Sequence, residues 1–238
     1  MQTLVIIPAF NEAYSIGHVL ADIPEGLVDE VVVVNNASTD ETEKNARAAG
    51  ATVLREDRRG YGQACLKGIE YARTKSPQIV VFLDGDYSDH PDEMTKLVEP
   101  ILRDEADFVV GSRMIGRREP GAMPPQAVIG NRLACGLMRR LWNAPFTDLG
   151  PFRAIRFTDL LALDMQDRTF GWTIEMQIKA VQAGLRCMEV PVSYRRRIGV
   201  SKITGTVSGT VKASVKILWT IAKYAWPRRK RDPVKVVG

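Results

Sequence analysis

Residues 78–91 read QIVVFLDGDYSDHP. The run from Ile79 to Leu83 is apolar without alternation, as in a strand covered on both faces, and it stops abruptly at Asp84-Gly85-Asp86. In an extended segment residues i and i+2 point the same way, so the Asp84 and Asp86 carboxylates can reach one cation or its water shell. Hard divalent cations take oxygen ligands, often one or two carboxylates plus substrate phosphates. An acid-Gly-acid triplet is also ordinary turn chemistry, and its position at the end of a buried strand is what favours the cation reading. Asp89 and His90, just ahead of Pro91, read as residues supporting this turn or starting the next helix.

The same pattern extends outward. TLVIIP (3–8), EVVVVN (30–35), ATVLRE (51–56), QIVVFLD (78–84) and DFVVGSR (107–113) read as strands. Ala13–Ile23, Glu41–Ala49, Gly62–Lys75 and Pro91–Arg103 read as the helices between them. Apolar runs separated by helices predict an α/β fold with a mostly parallel sheet flanked by helices. Beyond residue 115, GRREPGAMPPQ (116–126) reads as a mobile loop and Val128–Asn143 as a helix. TDLGPFRAIR (147–156) reads as a turn and strand, Trp172–Ala183 as a helix, and RCMEVPVSYRRR (186–197) as a strand running into a basic loop.

Composition narrows the class. The chain has 238 residues, 45% hydrophobic and 26% charged, which suits one globular domain with an appendage. Cys65, Cys135 and Cys187 lie far apart, which predicts neither a disulfide framework nor a zinc site and suits a reducing, cytoplasmic setting. No basic leader precedes TLVIIP and no run of about 18 uncharged apolar residues occurs, so neither a signal peptide nor a membrane span is expected. The charge is uneven. Residues 186–238 hold 13 Lys and Arg against 2 Asp and Glu, a net of +11, whereas the rest of the chain is acidic. Gly209–Trp226 has helical spacing that gathers Lys212, Lys216 and Lys223, with tryptophans on the apolar side, and RRKR (228–231) follows. A basic amphipathic helix of this kind predicts contact with a membrane surface, the alternative being a helix packed on its own domain.

Ligands of open α/β sheets bind outside the carboxyl ends of the strands. The polar clusters lie there: PAFNE (8–12), NNASTDET (35–42), DGD (84–86) and GSR (111–113). RRGYGQA (58–64) sets two arginines and two glycines before a helix, an arrangement suited to an anion at a helix N-terminus. Gly60 and Gly62 follow the third strand and lack a third glycine, so they are not a dinucleotide fingerprint.

The ordered set IIPAFNE, VVVVNNASTD, GYGQACLKGIEYA, FLDGDYSDHP, VVGSR, TDLGPFRAI, TIEMQIKAVQAG and EVPVSYRRRIGVSK resembles the family 2 glycosyltransferases of GT-A fold. Within them it is most similar to the dolichol-phosphate mannosyltransferase and polyprenyl-phosphate glycosyltransferase branch. The match spans roughly residues 3–204, so the resemblance implies a GT-A domain over 1–205 and an amphipathic helix with a basic tail over 206–238. It implies that Asp84-Gly85-Asp86 is the DxD motif binding Mg²⁺ or Mn²⁺, with Asp86 the direct ligand. It implies a nucleotide-binding turn at Pro8, Ala9, Phe10 and Glu12. Asn35 and Asn36 stand where many members carry acids that contact the nucleoside, which leaves the base, uridine or guanosine, open. Asp40, Arg58, Arg59 and Gly62 fall near the expected base and diphosphate. Arg113, Arg132, Arg196, Arg197 and Lys202 match basic residues that hold an acceptor phosphate. Asp148 and Arg153 lie in DLGPFR, one residue shorter than the dolichol-type DLTGSFR, and Glu175 stands where members with hydroxyl acceptors place a general base. Trp172, just before it, would line the acceptor pocket or the core.

The expected activity is therefore metal-dependent inverting transfer from a UDP- or GDP-sugar to a polyprenyl phosphate at the cytoplasmic membrane face. One rival keeps the donor but uses a soluble or glycan hydroxyl acceptor with Glu175 as base. The other is a non-enzymatic nucleotide-sugar or nucleic-acid binder. A nucleic-acid partner is not expected, because stacking aromatics do not accompany the basic residues. Oligomeric state is left open.

Overall fold

The computed structural model describes residues 2–199 and 207–226. Seven strands form one sheet: β1 (Thr3–Ala9), β2 (Glu30–Asn35), β3 (Thr52–Arg55), β4 (Ile79–Phe82), β5 (Phe108–Ser112), β6 (Arg153–Arg156) and β7 (Cys187–Pro191). Their spatial order is β3-β2-β1-β4-β6-β5-β7. All neighbours run parallel except β6, which pairs antiparallel with both β4 and β5. The predicted mostly parallel sheet is observed.

The reversal of β6 positions the site. Arg153, its first residue, is level with Phe82 at the end of β4 and with Val110 in β5. Residues 147–152, which lead into an antiparallel strand, thus lie at the edge where the parallel strands finish.

Among the described residues eight α-helices accompany the sheet: α1 (Ile16–Ala21), α2 (Thr42–Ala48), α3 (Tyr61–Lys75), α4 (Thr95–Leu102), α5 (Pro125–Trp142), α6 (Phe157–Ala162), α7 (Trp172–Gln182) and α8 (Val207–Ala225). Successive side chains of a strand point to opposite faces. Accordingly Leu4 and Ile6 join the core formed with α3, α5 and α7, while Val5 and Ile7 join that formed with α1 and α4.

Several boundaries differ from the sequence reading. α1 starts later than Ala13, because the amides of Ser15 and Ile16 both donate to the Glu12 carbonyl and residues 11–15 close as a turn. α5 starts earlier than Val128, at Pro125, where a missing N–H costs nothing because the first-turn donors have no helical partner. α6, unanticipated, fills the turn after β6. The segment read as a strand running into a basic loop makes that change at Pro191, where β7 ends. Residues 193–198 then lie along the DGD turn instead: the Arg195 amide donates to the Ser88 carbonyl (2.9 Å) and the Ile198 amide to the Asp86 carbonyl (3.0 Å). The loop 116–126 is tied to the same segment, with the Tyr194 amide donating to the Arg117 carbonyl and the Glu119 amide to the Tyr194 carbonyl.

α8 packs on α5 and α7, burying Thr220 and Ile221. No helix among the described residues is long and apolar enough to cross a membrane. Trp172 is in the core, edge-on to Phe82 with ring centroids 5.9 Å apart, and lines no cavity at the site. The tail RRKR and Lys202 lie outside the described residues.

Candidate active site

Two cavities of about 280 and 290 Å³ flank the DGD turn and share Tyr61, Asp84, Asp86, Phe170 and Arg197. The first opens over the ends of β1 and β4 and is lined further by Pro8, Ala9, Phe10, Glu12, Asn36 and Arg59. The Arg59 guanidinium stacks on the Phe10 ring, 4.3 Å from its centroid, giving a flat cationic wall. The second lies between the 147–152 loop, α5 and α8, and combines Arg113 with Met123, Leu149, Pro151 and Ile217.

The acids at the shared wall differ sharply. Asp86 is buried and fully engaged: Oδ1 accepts from the Ser88 amide (2.8 Å) and hydroxyl, and Oδ2 meets the Arg197 guanidinium at 2.8 Å. Asp84 has a buried Oδ1 with no hydrogen-bond partner. Burial, and then the neighbouring Asp86 charge, push its carboxyl up to about 7. An unpaired buried carboxylate oxygen is costly unless a cation or donor meets it. With a second carboxylate two residues on, the donor set fits a hard divalent cation that completes its shell with phosphate and water oxygens. The open oxygen is on Asp84, whereas Asp86 already holds Ser88 and Arg197 and would share Oδ2 with such an ion. Asp89, expected to support this turn or start the next helix, is buried close to this pair, with neither carboxylate oxygen hydrogen-bonded. Burial first, then Asp84, raises its pKa well above the usual range.

Arg113 carries the second cavity. Its Nε and Nη2 donate to Asp148 Oδ2 and Oδ1, both at 2.8 Å, and its amide donates to Oδ2. This bidentate pair fixes the fork while the guanidinium lies 4.9 Å from the Tyr194 ring centroid. Asp148 is itself completely buried, and Arg113 holds its pKa below the usual carboxylate value against the opposing effect of burial. Asp148 therefore orients Arg113 and is not placed to take a proton from a substrate. Arg153 is buried as well, donating to the carbonyls of Gly150 and Thr173, so it braces the 149–151 turn.

Several residues singled out from the sequence stand elsewhere. Asn35 donates to Glu43 and accepts from the Ser38 amide; Asp40 accepts from the amides of Ala13 and Thr42. Both face a neighbouring surface depression rather than the first cavity. Arg58 turns back onto Glu56. Gly62 approaches no open phosphate site: its amide donates to the Thr169 carbonyl, and a Cβ there would stand 2.1 Å from the Asp167 carbonyl oxygen. Gly60 and Gly62 thus let the start of α3 dock against residues 167–169. Arg132 is exposed on α5, and Arg196 bonds to Glu119 and Pro120; neither lines a cavity. Glu175 is buried away from both. It accepts from the amides of Gln166 and Asp167 and from the Tyr224 hydroxyl (2.6 Å), and it pairs with Lys179 at 3.0 Å. A carboxylate with that many donors holds a loop and does not reach an acceptor.

Tyr61, Phe170 and Tyr194 line the cavities but were missed in the sequence. Tyr61 had a local signal, sitting between two glycines at a helix start; Phe170 and Tyr194 had none.

The model of glycosyl transferase family 2 matches residues 4–162, and the chain belongs to that family. It is 37% identical over 213 residues to an uncharacterized glycosyltransferase of Mycobacterium tuberculosis (strain ATCC 25618 / H37Rv), covering 88% of this chain and 93% of the relative. It is 26% identical over 227 residues to an undecaprenyl-phosphate mannosyltransferase of Micrococcus luteus, covering 90% and 93%. Among solved structures it is similar to glucosyl-3-phosphoglycerate synthase from Mycobacterium tuberculosis, crystallised with Mn²⁺ and UDP-glucose. That match has a TM-score of 0.73 and 24% identity, and it covers 96% of this chain and 80% of the other. At that identity the likeness speaks for the fold, which is GT-A. The protein is a glycosyltransferase.

Proposed function

We propose that the protein transfers a sugar, with inversion, from a nucleotide-diphosphate sugar to the phosphate of a polyprenyl chain. Mg²⁺ or Mn²⁺ assists, and the reaction takes place at the cytoplasmic face of a membrane. The observation that carries this reading is the pairing of two cavities across Asp84, Asp86 and Arg197, one with nucleotide-type groups and one joining Arg113 to a largely apolar wall. The nucleotide lies in the first cavity, with Arg59 and Phe10 against the base or ribose and Glu12 and Asn36 offering polar contacts. Asp84 and Asp86 would hold the divalent cation, which when bound neutralises the departing diphosphate. The acceptor enters the second cavity, where Arg113, fixed by Asp148, grips its phosphate and aims an oxygen at the anomeric carbon.

A phosphate nucleophile is already anionic near neutral pH and needs no base. Among the described residues, Asp84 and Asp86 are the only carboxylates lining the second cavity, which favours such an acceptor over a sugar hydroxyl. The division of the chain at residue 205, with 206–238 serving membrane contact, belongs to the same proposal.

The test is a screen of UDP-, GDP- and dTDP-sugars with Mg²⁺ or Mn²⁺, with and without a short polyprenyl phosphate. Transfer that depends on both metal and polyprenyl phosphate is expected. Transfer to free sugars or glycerate-type acceptors, with none to prenyl phosphate, would refute the acceptor assignment.

A further inference from the structure

The described residues expose nine large hydrophobic side chains, and seven of these lie on or directly after two helices that pack together, α5 and α8. On α5 they are Ile129 (67% exposed), Leu133 (52%) and Leu141. Positions 129 and 133 lie one turn apart on one stripe, and Leu141 stands about 120° round the helix from Ile129, widening the apolar face towards the helix end. On α8 Val215, Leu218 and Trp219 (53%) form the corresponding stripe, and Trp226 (81%) continues it past the helix end. Opposite this stripe α8 buries Thr220 and Ile221 on the domain. The helix therefore packs inward and remains apolar outward.

Charge says what covers this surface. Neither α5 nor α8 contains an Asp or Glu, while together they carry Arg132, Arg139, Arg140, Lys212, Lys216 and Lys223. Lys223 reaches the Trp219 ring at 5.4 Å from its centroid, and Lys216, which also pairs with Asp167 at 2.7 Å, lies 4.9 Å from it. Apolar and tryptophan side chains among lysines and arginines, without acids, match an anionic lipid interface: acyl chains take the stripes and headgroups the cations. The second cavity lies between these same helices, lined by Ala127 and Gly130 of α5 and by Ala213, Ser214 and Ile217 of α8.

We propose that α5 and α8 together form one face that docks on an anionic lipid bilayer, and that the second cavity receives a lipid-borne acceptor from the bilayer between them. The docking half needs no assumption about the reaction; the entry half rests on the proposed function. α5 shares the task with α8, which a terminal helix acting alone would not require.

Co-sedimentation of the full chain with phosphatidylcholine vesicles, with and without phosphatidylglycerol, tests the docking. Two exposed positions are changed, Leu133→Glu on α5 and Trp219→Glu on α8, with thermal melts confirming folding. The unmodified chain is expected to bind the anionic vesicles, more weakly at high salt, and each variant to bind about tenfold less. Undiminished binding by Leu133→Glu would overturn the shared face. Self-association in vesicle-free buffer, abolished by Leu133→Glu without vesicle binding by the unmodified chain, would assign the face to a second copy and likewise overturn it. For the entry route, Leu133→Glu should keep transfer to a water-soluble short prenyl phosphate and lose transfer to a long-chain one in vesicles; equal loss on both refutes it. Vesicle binding without transfer to any prenyl phosphate would sink the proposed acceptor and leave the docking face standing.

Discussion

At the residue scale, the site is organised by which carboxylates have partners. Asp84 and Asp86 are two residues apart, yet both Asp86 oxygens are engaged, by Ser88 and Arg197, while Asp84 keeps a bare buried oxygen. With its carboxyl raised to about 7 from 3.8, Asp84 holds a proton in the folded chain where the unfolded chain has lost it. The metal-free chain therefore loses stability as pH rises from about 4 to about 7 and levels off above that. Asp84→Asn is expected to raise the melting temperature of metal-free protein by several degrees at pH 8 and by less at pH 5, while abolishing metal-dependent transfer. Thermal melts at the two pH values and a transfer assay check both halves. Arg113 makes a second residue-scale case. Arg113→Ala leaves Asp148 buried and unpaired, so it is expected to cost about 3 kcal/mol of stability as well as acceptor binding. Arg113→Ala/Asp148→Asn should recover stability but not the acceptor KM, which steady-state kinetics resolves.

At the element scale, the loop 164–171 is the hinge of the arrangement. It is held from below by Glu175, from one side by Lys216 (2.7 Å to Asp167) and from the other by the start of α3, and it carries Phe170 into both cavities. Glu175→Gln is expected to lower stability by about 1–3 kcal/mol and to reduce kcat less than tenfold, because it loosens this loop. Loss of a true base would cost 10²–10⁴-fold. Denaturant unfolding and kcat together separate the two roles. The element scale also shows where sequence patterning was enough. The apolar runs, the cap-like Gly and Ser clusters and the helix spacing located every strand and all helices but the short α6. The antiparallel sense of β6 was not legible, because RAIR reads alike in either direction and only its neighbours in the sheet decide it.

At the scale of the whole molecule, α8 closes the structure. It lines the second cavity, bonds Glu175 through Tyr224 and buries Ile221, so it packs on the domain as well as being a candidate lipid contact. A chain ending at residue 205 is expected to melt well below the full chain, by roughly 5 °C or more, since it exposes the core side of α8. An unchanged melting temperature would make the helix a mere appendage.

The sequence by itself determined the sheet, the family and the strand ends where chemistry gathers. Continuous apolar runs separated by helical segments and an ordered set of motifs are local properties that survive without any neighbour. It also picked out Pro8, Ala9, Phe10, Glu12, Asn36, Arg59, Asp84, Asp86, Arg113 and Arg197, which line the cavities. Only the tertiary structure decided which polar groups are already spent. Glu175, Asp148, Asn35, Asp40 and Gly62 looked like ligand-facing groups in a one-dimensional reading. Their hydrogen-bond capacity or their space is consumed by backbone and side chains from distant parts of the chain, as where the Arg113 guanidinium takes both Asp148 oxygens and the Gly62 amide docks on the Thr169 carbonyl. Whether a carboxylate serves a substrate or a loop depends on which donors burial brings to it, and those donors come from distant parts of the chain.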